Sequence, residues 1–170
     1  MGQSSMIYNS FKLDLQRSLG HEPFWDATYK KAFPSMVGHC FHENPYMQNI
    51  GIDRTLTLPN GRLIHIEEKI RYEIYSDILL EYVSDSVRKT PGWMEKDLRC
   101  DYLAYAFAPN KRAYLFPWAT LKKVWIENQG MFFAEYPIIE APNNGYSTLC
   151  VAIPIAELTT LVSNVIEIQV

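Results

Sequence analysis

Residues 53–71, with the sequence DRTLTLPNGRLIHIEEKIR, constrain the fold of this chain more than any other stretch. Two runs of strand-forming residues flank the tripeptide Pro59-Asn60-Gly61. Proline suits the second position of a type I turn, asparagine the third, and glycine the left-handed position that follows. The tripeptide therefore predicts a three-residue hairpin loop with a bulge glycine, in which Leu58 pairs with Arg62.

This register sorts the side chains of the hairpin onto two chemically different faces. One face is polar and sets Asp53 directly opposite Glu67, whereas the other is mainly apolar. A two-residue Asn60-Gly61 loop would shift the register by one residue and mix the two faces, so the three-residue loop is favoured. The polar face carries Asp53, Thr55, Thr57, Leu63, His65, Glu67 and Lys69, and the apolar face carries Arg54, Leu56, Leu58, Ile64, Ile66, Glu68 and Ile70.

Asp53 and Glu67 would repel each other in this hairpin. Directly opposed residues have Cβ atoms about 5 Å apart, and like charges at that distance destabilise the strand pair. A divalent cation would remove the repulsion, and Mg²⁺ typically takes one or two carboxylates while keeping waters that phosphate oxygens can replace. Lys69 lies two residues beyond Glu67 and points to the same side. Two carboxylates and a lysine on one sheet face indicate metal-assisted phosphodiester hydrolysis.

The same residues resemble the motif of the PD-(D/E)xK nuclease superfamily, which has an acid, a hairpin, and then acid-x-Lys on the next strand. Asp53 corresponds to the first acid, Glu67 to the second and Lys69 to the lysine. Ile52 stands where the name of the motif places proline. Glu68 offers a rival alignment of the second acid, which the predicted hairpin register disfavours.

The resemblance covers roughly residues 50–125 and implies a fold as well as an activity. The implied fold is of the α/β (α+β) class: a restriction-endonuclease-like core with a central mixed β-sheet flanked by helices. The implied cofactor is Mg²⁺ or Mn²⁺ held by Asp53 and Glu67, and the implied substrate is nucleic acid, DNA more than RNA. Many enzymes of this type act as homodimers. An early helix often lends a further acid, for which Glu22 and Asp26 are the candidates.

Length and composition favour one domain. A chain of 170 residues with 48% hydrophobic side chains is long enough to bury a substantial core. We expect a single nuclease-like domain over residues 1–170, with its core at roughly 22–127 and a C-terminal strand-helix extension at 128–170. Three widely spaced cysteines and the lack of an apolar stretch long enough to cross a bilayer predict a cytoplasmic location.

Positive charge is confined to the part of the chain before Val124. The net charge is −3, and residues 61–123 hold 11 basic and 9 acidic side chains, a net of +2. Bound metal would make the field around this segment more positive, which suits contacts with phosphate groups. Ordinary solvated charge explains any one of these side chains equally well. The predicted nucleic-acid contacts are Arg71, Lys96, Lys122 and Lys123.

Four further features suggest residues that bind metal, phosphate or bases. Glu81, inside the apolar run 77–85, is either a third member of the metal site or a salt-bridged sheet residue. Arg71 either clamps a phosphate or pairs with Glu73. The segment His39-Cys40-Phe41-His42 offers three zinc ligands, but they are closer together than in known structural sites and lack a fourth partner. Three tyrosines could stack bases or belong to the core, namely Tyr102, Tyr105 and Tyr114.

The remaining pattern predicts the other elements. Residues 77–85 read as a buried strand of the same sheet as the hairpin, and residues 90–99 as a turn-rich segment with Trp93 and Lys96 partly exposed. We also expect helices at 11–20, 22–33, 118–127 and 155–162, a hairpin around Pro109-Asn110, a loop at 137–145, a strand at 147–154 and an edge strand at 165–170.

These features favour a metal-dependent nuclease in which Asp53, Glu67, Lys69 and Glu81 form the catalytic site. No nucleotide-binding loop, nucleophilic-serine motif or CxxC pair points to a different chemistry. The alternative is a nuclease-like domain that does not cut and instead binds nucleic acid or a protein partner. The many aromatic residues and the acidic C-terminal third suit that alternative.

Overall fold

A computed structural model describes residues 21–170 as two β-sheets with four helices. The helix expected at residues 11–20 lies outside the described residues. No helix within the described range is long and apolar enough to cross a membrane. The helices are α1 (Glu22–Ala32), α2 (Pro45–Asn49), α3 (Trp118–Glu135) and α4 (Ile155–Leu161), and the strands are β1 (Gly38–Phe41), β2 (Arg54–Thr57), β3 (Leu63–Arg71), β4 (Asp77–Asp85), β5 (Thr90–Pro91), β6 (Tyr102–Phe107), β7 (Arg112–Pro117), β8 (Ile138–Pro142), β9 (Ser147–Pro154) and β10 (Ile166–Gln169).

The predicted hairpin register is confirmed. Strands β2 and β3 are antiparallel, with Arg54 opposite Ile66, and the N–H of Leu58 donates to the carbonyl oxygen of Arg62 over 2.9 Å. Gly61 has a φ of +79°, the left-handed conformation that the loop requires. The hairpin belongs to a six-stranded sheet with the order β1-β2-β3-β6-β7-β10, in which β3 and β6 are parallel and the other neighbours are antiparallel.

Strand β4 does not join this sheet, so the prediction that residues 77–85 belong to the same sheet as the hairpin is wrong. It pairs with β9 and β5 in a second sheet of four strands, ordered β5-β4-β9-β8. The free edge of β3 is taken by β6, which comes from farther along the chain, and this long-range pairing leaves no place for β4. Strand β8 also replaces the loop expected at 137–145, because it pairs with the exposed edge of β9.

The six-stranded sheet is covered on both faces. Its front face, which includes Leu103, Tyr105 and Phe107, packs against the second sheet and helices α3 and α4. Its back face packs against α1, where Trp25 and Tyr29 contact the apolar side chains of the hairpin. The result is a mixed α/β arrangement with a mixed central sheet, compatible with the expected α+β class. Trp93 is 6% exposed and belongs to the front core, so its expected partial exposure is wrong.

The back face also holds a buried group of charged side chains around Arg54. The Arg54 side chain is fully buried and donates to Glu68 Oε1 over 2.6 Å and to both carboxylate oxygens of Glu22 over 2.5 and 3.0 Å. The hydroxyl of Tyr29 donates to the same oxygen of Glu68 over 2.8 Å, and His39 Nδ1 lies 2.9 Å from Arg54. These bonds tie α1 and β1 to the hairpin, so they fix its register from behind.

Replacing Arg54 with methionine tests this dependence. The variant leaves Glu68 and Glu22 without their buried cation, and we expect a loss of roughly 3–5 kcal/mol in the free energy of unfolding. The matched control is Lys30→Met, because Lys30 forms an exposed pair with Asp26, and such helix pairs contribute about 0.3–0.5 kcal/mol. Urea denaturation of both variants measures the difference. Equal stability of the two would show that the buried ion pairs do not hold the hairpin.

Candidate functional site

At the open end of the β2–β3 hairpin, on the front face of the sheet, two acids and a lysine lie together. Glu67 is 5% exposed, and Lys69 Nζ donates to its Oε1. Burial, followed by the negative charge of Glu67, raises the pKa of Asp53 from 3.8 to about 7, and the charge of Lys69 opposes this shift. The charges of Asp53 and Glu67 therefore repel each other, as expected for residues on one face, although the strand ladder ends at Arg54 and Ile66.

The Asp53 carboxylate is fixed where the β2–β3 ladder ends. In a regular antiparallel ladder, the bonded pair after Arg54 and Ile66 would join residue 52 to residue 68. Instead, the N–H of Glu68 donates to Asp53 Oδ2 over 2.7 Å, and the N–H of Asp53 donates to the carbonyl oxygen of Ile66 over 2.9 Å. The side chain thus replaces a backbone acceptor, which gives the carboxylate a defined position.

One oxygen of Glu67 lacks a partner. Oε1 accepts from Lys69, but Oε2 is buried and has no hydrogen-bond partner among residues 21–170. Leaving a buried acceptor unsatisfied costs about 1–3 kcal/mol, and more for a charged group. Such atoms are rare in folded proteins and often mark a site for a ligand or an ion. Glu67 Oε2 is therefore the atom in this cluster that is open to a further donor, a water molecule or a cation.

Lys69 is held in its charged form. Burial acts to lower its pKa, but the charges of Glu67 and Asp53, with a smaller contribution from Glu81, raise the pKa above its ordinary value. The side chain is consequently an ammonium group at neutral pH. In this state it can bind Glu67 and a phosphate oxygen but cannot accept a proton from water.

Glu81 reaches the cluster from the second sheet. Burial raises the pKa of its carboxyl group, while the charge of Lys69 and a hydrogen bond from the N–H of Trp93 lower it. A break in the register of β4 between Glu81 and Val83 marks a β-bulge, a feature that re-aims side chains beside active sites. Glu81 therefore faces Lys69 from the opposite sheet, but among residues 21–170 it forms no three-acid metal cluster with Asp53 and Glu67.

Gly92 is a positioning residue for Glu81 that sequence analysis missed. A Cβ at residue 92 would lie 2.5 Å from the carbonyl oxygen and 2.8 Å from Cγ of Glu81. The N–H of Gly92 donates to the carbonyl oxygen of Tyr82 over 2.9 Å, so segment 90–94 lies directly against the bulge. The Pro91-Gly92 pair signalled a turn, but the close approach of two backbones is a tertiary property.

Replacing Gly92 with alanine should displace Glu81. The added methyl group would overlap the backbone of β4, and we expect destabilisation by about 1–3 kcal/mol. Gly130→Ala is the matched control because its Cβ would meet no atom within 4 Å, and alanine in a helix interior gains roughly 0.5–1 kcal/mol over glycine. Thermal denaturation compares the two. A Gly92→Ala protein as stable as wild type would mean that the contact with Glu81 relaxes at no cost.

Three other predicted acids lie on the back face. Glu68, the rival second acid, pairs with Arg54 as the predicted register requires. Glu22 also binds Arg54, and Asp26 pairs with Lys30 and with His39. Neither acid of α1 therefore reaches the front cluster. The hypothesis that the early helix lends a catalytic acid is wrong for these two residues, because α1 packs on the opposite side of the sheet.

The four residues predicted to contact phosphate differ in their partners and in their exposure. Arg71 pairs with Asp77 over 2.7 Å rather than with Glu73, and its guanidinium lies 3.5 Å from the centre of the Tyr75 ring. Lys122 Nζ donates to the carbonyl oxygen of Met94, in the segment that packs against Glu81, so it is not a free surface cation. Lys123 is exposed and lies 3.8 Å from Glu127. Lys96 is half-buried, and its charge acts on Glu81.

The zinc and base-stacking hypotheses gain no support. His39 contacts Asp26 and Arg54, whereas His42 Nε2 lies 2.7 Å from the hydroxyl of Thr55, so the two imidazoles serve different groups. Tyr105 and Tyr114 are buried in the front core, so neither ring is exposed on the surface where a bound strand would lie. Tyr102 is half-buried and packs edge-on against Phe33.

The donor set suits a hard divalent cation with few protein ligands. Within the described part of the chain, no three His, Cys, Asp or Glu side chains form a ready metal-ion cluster. Mg²⁺ does not need one, because it usually keeps several waters and takes one or two carboxylates. A bound cation would pair with the free oxygen of Glu67 and would favour the ionised form of Asp53, which its neighbours disfavour.

Comparison of the chain with protein-family models, curated proteins and solved structures found no match.

Ionisation of Asp53 should make stability depend on pH. The folded state binds the Asp53 proton more tightly than the unfolded state, so the stability from this group is present below pH 3.8 and lost as pH rises to about 7. Asp53→Asn keeps an acceptor for the N–H of Glu68 and removes the charge. We expect this variant, free of metal, to melt several degrees above wild type at pH 8 and to approach it at pH 4. Melting curves across this range measure the effect, and a lower melting temperature for the variant at pH 8 would contradict it.

Proposed function

We propose that this protein is a metal-dependent nuclease that hydrolyses phosphodiester bonds, most readily in DNA. The observation that carries the proposal is the buried, unpartnered oxygen of Glu67 beside the Asp53 carboxylate, on the same face as a charged lysine. A site that concentrates negative charge and leaves an acceptor unsatisfied is built to receive a cation. The resemblance to the PD-(D/E)xK motif at the same three residues supports the assignment.

Asp53 and Glu67 would hold the ion, Mg²⁺ or Mn²⁺. When bound, such an ion activates a water molecule and neutralises charge on the scissile phosphate. Glu67 would use Oε2, since Oε1 is held by Lys69. The hydrogen bond from Glu68 keeps the Asp53 carboxylate oriented before any ion arrives. Preorganised groups of this kind avoid the cost of rearrangement during the reaction.

The remaining residues stabilise charge and accept a proton. Lys69, as an ammonium group, orients Glu67 and stabilises the charge that builds up on the phosphate. Its raised pKa favours this role over deprotonation of the attacking water. Glu81 is the better proton acceptor, because burial raises the pKa of its carboxyl group above the ordinary value. Lys96 lies close enough to lower that pKa and adds positive charge at the site.

A restriction-endonuclease-like core belongs to the same proposal. An antiparallel hairpin that carries both acids, a parallel partner for its second strand, and a helix packed behind it support this finer fold assignment. The site is divided between the two sheets, since Glu81 comes from β4. This division is a departure from the single-sheet arrangement that the sequence suggested.

A nicking assay with supercoiled plasmid, single-stranded DNA and RNA tests the activity. Wild-type protein should cleave DNA with Mg²⁺ or Mn²⁺ and not with EDTA. Lys69→Ala and Glu67→Gln should each lower the rate at least about 100-fold, as removal of a charge-stabilising group typically does. Lys30→Ala is the matched control, because its exposed ammonium lies on α1, behind the sheet and away from the acids, and its loss should leave the rate unchanged.

Metal binding has an independent readout. A ligand that binds the folded state raises the melting temperature, so Mn²⁺ should stabilise wild-type protein more at pH 8 than at pH 5.5, where Asp53 keeps its proton. Asp53→Asn should lose most of this response. Full activity of Lys69→Ala would refute the role given to the lysine. Wild-type protein that binds DNA without cutting it under any metal condition would instead support the alternative of a nuclease-like binding module.

A further inference from the structure

A cavity separate from the acidic site lies beside the β6–β7 hairpin. It has a volume of about 490 Å³, within the range of small-molecule sites. Its walls come from the loop after β3, the β6–β7 hairpin, α4 and β10. Strand β4 connects it to the acidic site, because Asp77 begins that strand next to Ser76 of the cavity wall and Glu81 lies at the middle of the strand. The four-residue separation corresponds to about 13 Å at 3.3 Å per residue.

The cavity offers flat aromatic surfaces. Phe107 and Tyr114 are buried residues that line it, and Tyr75 forms part of its wall while remaining 41% exposed. The guanidinium of Arg71 lies 3.5 Å from the centre of the Tyr75 ring and is itself bound to Asp77 over 2.7 Å. Because the cation and its carboxylate partner hold this ring from one side, Tyr75 is a preorganised platform for stacking a second flat ring.

An unsatisfied amide lies in the same cavity. Oδ1 of Asn110 is buried and lacks a hydrogen-bond partner within the described residues. The backbone oxygen of Asn110 accepts from Gln169 Nε2 over 2.6 Å, so the loop that carries the amide is anchored to β10. A buried acceptor of this kind is satisfied by a ligand with an N–H donor on its edge. Asparagine amides pair in this way with the amino groups of nucleobases.

Charge at the rim disfavours a purely anionic ligand. Arg112 and Glu167 both line the opening, and Arg112 Nη1 lies 3.5 Å from Glu167 Oε1. The positive and negative groups largely cancel each other, so a phosphate alone gains little there. The aromatic wall and the amide act on the flat, polar-edged part of a ligand instead.

We infer that this cavity binds a nucleobase that bears an amino group, with its ring stacked on Tyr75 and its amino group donating to Asn110 Oδ1. The base comes either from a free nucleotide or from a single strand that lies along β4. The inference goes beyond the proposed hydrolysis, because binding at this cavity requires neither metal nor the acids of the first site.

Calorimetric titration of the full chain without divalent metal tests the site. Adenosine monophosphate should bind, and ribose 5-phosphate, which lacks the base, should not. Tyr75→Ala should weaken binding roughly tenfold through loss of stacking, and Tyr75→Phe should retain it. Absence of binding at millimolar adenosine monophosphate, equal binding of the two ligands, or full affinity in Tyr75→Ala would each overturn the inference.

Asn110→Leu separates a ligand-binding amide from a structural one. The substitution removes a buried unsatisfied oxygen, so the melting temperature should not fall, whereas affinity for adenosine monophosphate should drop about tenfold or more. A marked loss of stability with unchanged affinity would assign Asn110 to folding and refute its role in binding.

A short oligoadenylate distinguishes the two sources of the base. Tighter binding of the oligonucleotide than of adenosine monophosphate, with both weakened by Tyr75→Ala, identifies a base of a strand, whereas equal or weaker binding identifies a free nucleotide. Both results support a nucleobase site. Because metal is absent from these titrations, a failed nicking assay leaves their result unaffected, and failure of base binding leaves the proposed hydrolysis standing.

Discussion

The register of the β2–β3 hairpin determines the chemistry of both faces of the central sheet. Alternate residues of a strand point to opposite sides, so one register places Asp53 and Glu67 in front and Arg54 and Glu68 behind. The buried ion pairs of Arg54 stabilise the same register that forces the two acids together. The energy that holds the repelling front pair therefore comes from the back face and from the packing of α1.

The acidic site combines groups that are unfavourable for stability. Three of its groups are costly in a protein that only has to fold: a buried carboxylate oxygen without a partner among residues 21–170, a carboxyl group whose ionisation its surroundings oppose, and a lysine locked in its charged form. Local costs of this kind concentrate at functional sites, where the ligand supplies the missing interactions. Gly92 and the bulge in β4 set the position of Glu81 on a separate sheet, from which its charge interacts with that of Lys69. The surroundings of the acidic site are thus built from both sheets.

Much of the local structure could be predicted. The hairpin and its loop, the stripe of Trp25 and Tyr29 on α1, the β6–β7 hairpin and the edge strand β10 all follow from turn chemistry and hydrophobic periodicity. The predictions failed where distant segments compete for one strand edge. The alternating residues of β4 suit a buried strand in either sheet. Nothing in that local pattern indicates that β6, and not β4, pairs with the edge of β3.

By itself, the sequence determined which residues of the hairpin share a face, because a three-residue turn and a period of two leave one register that separates polar from apolar side chains. It thereby determined that Asp53, Glu67 and Lys69 meet. Only the tertiary structure decided the partners that came from other elements: Glu81 from the second sheet, Gly92 against its backbone, and the cavity at Tyr75 and Asn110. The physical reason is that these contacts depend on how sheets pack and strands cross over, which local periodicity does not encode.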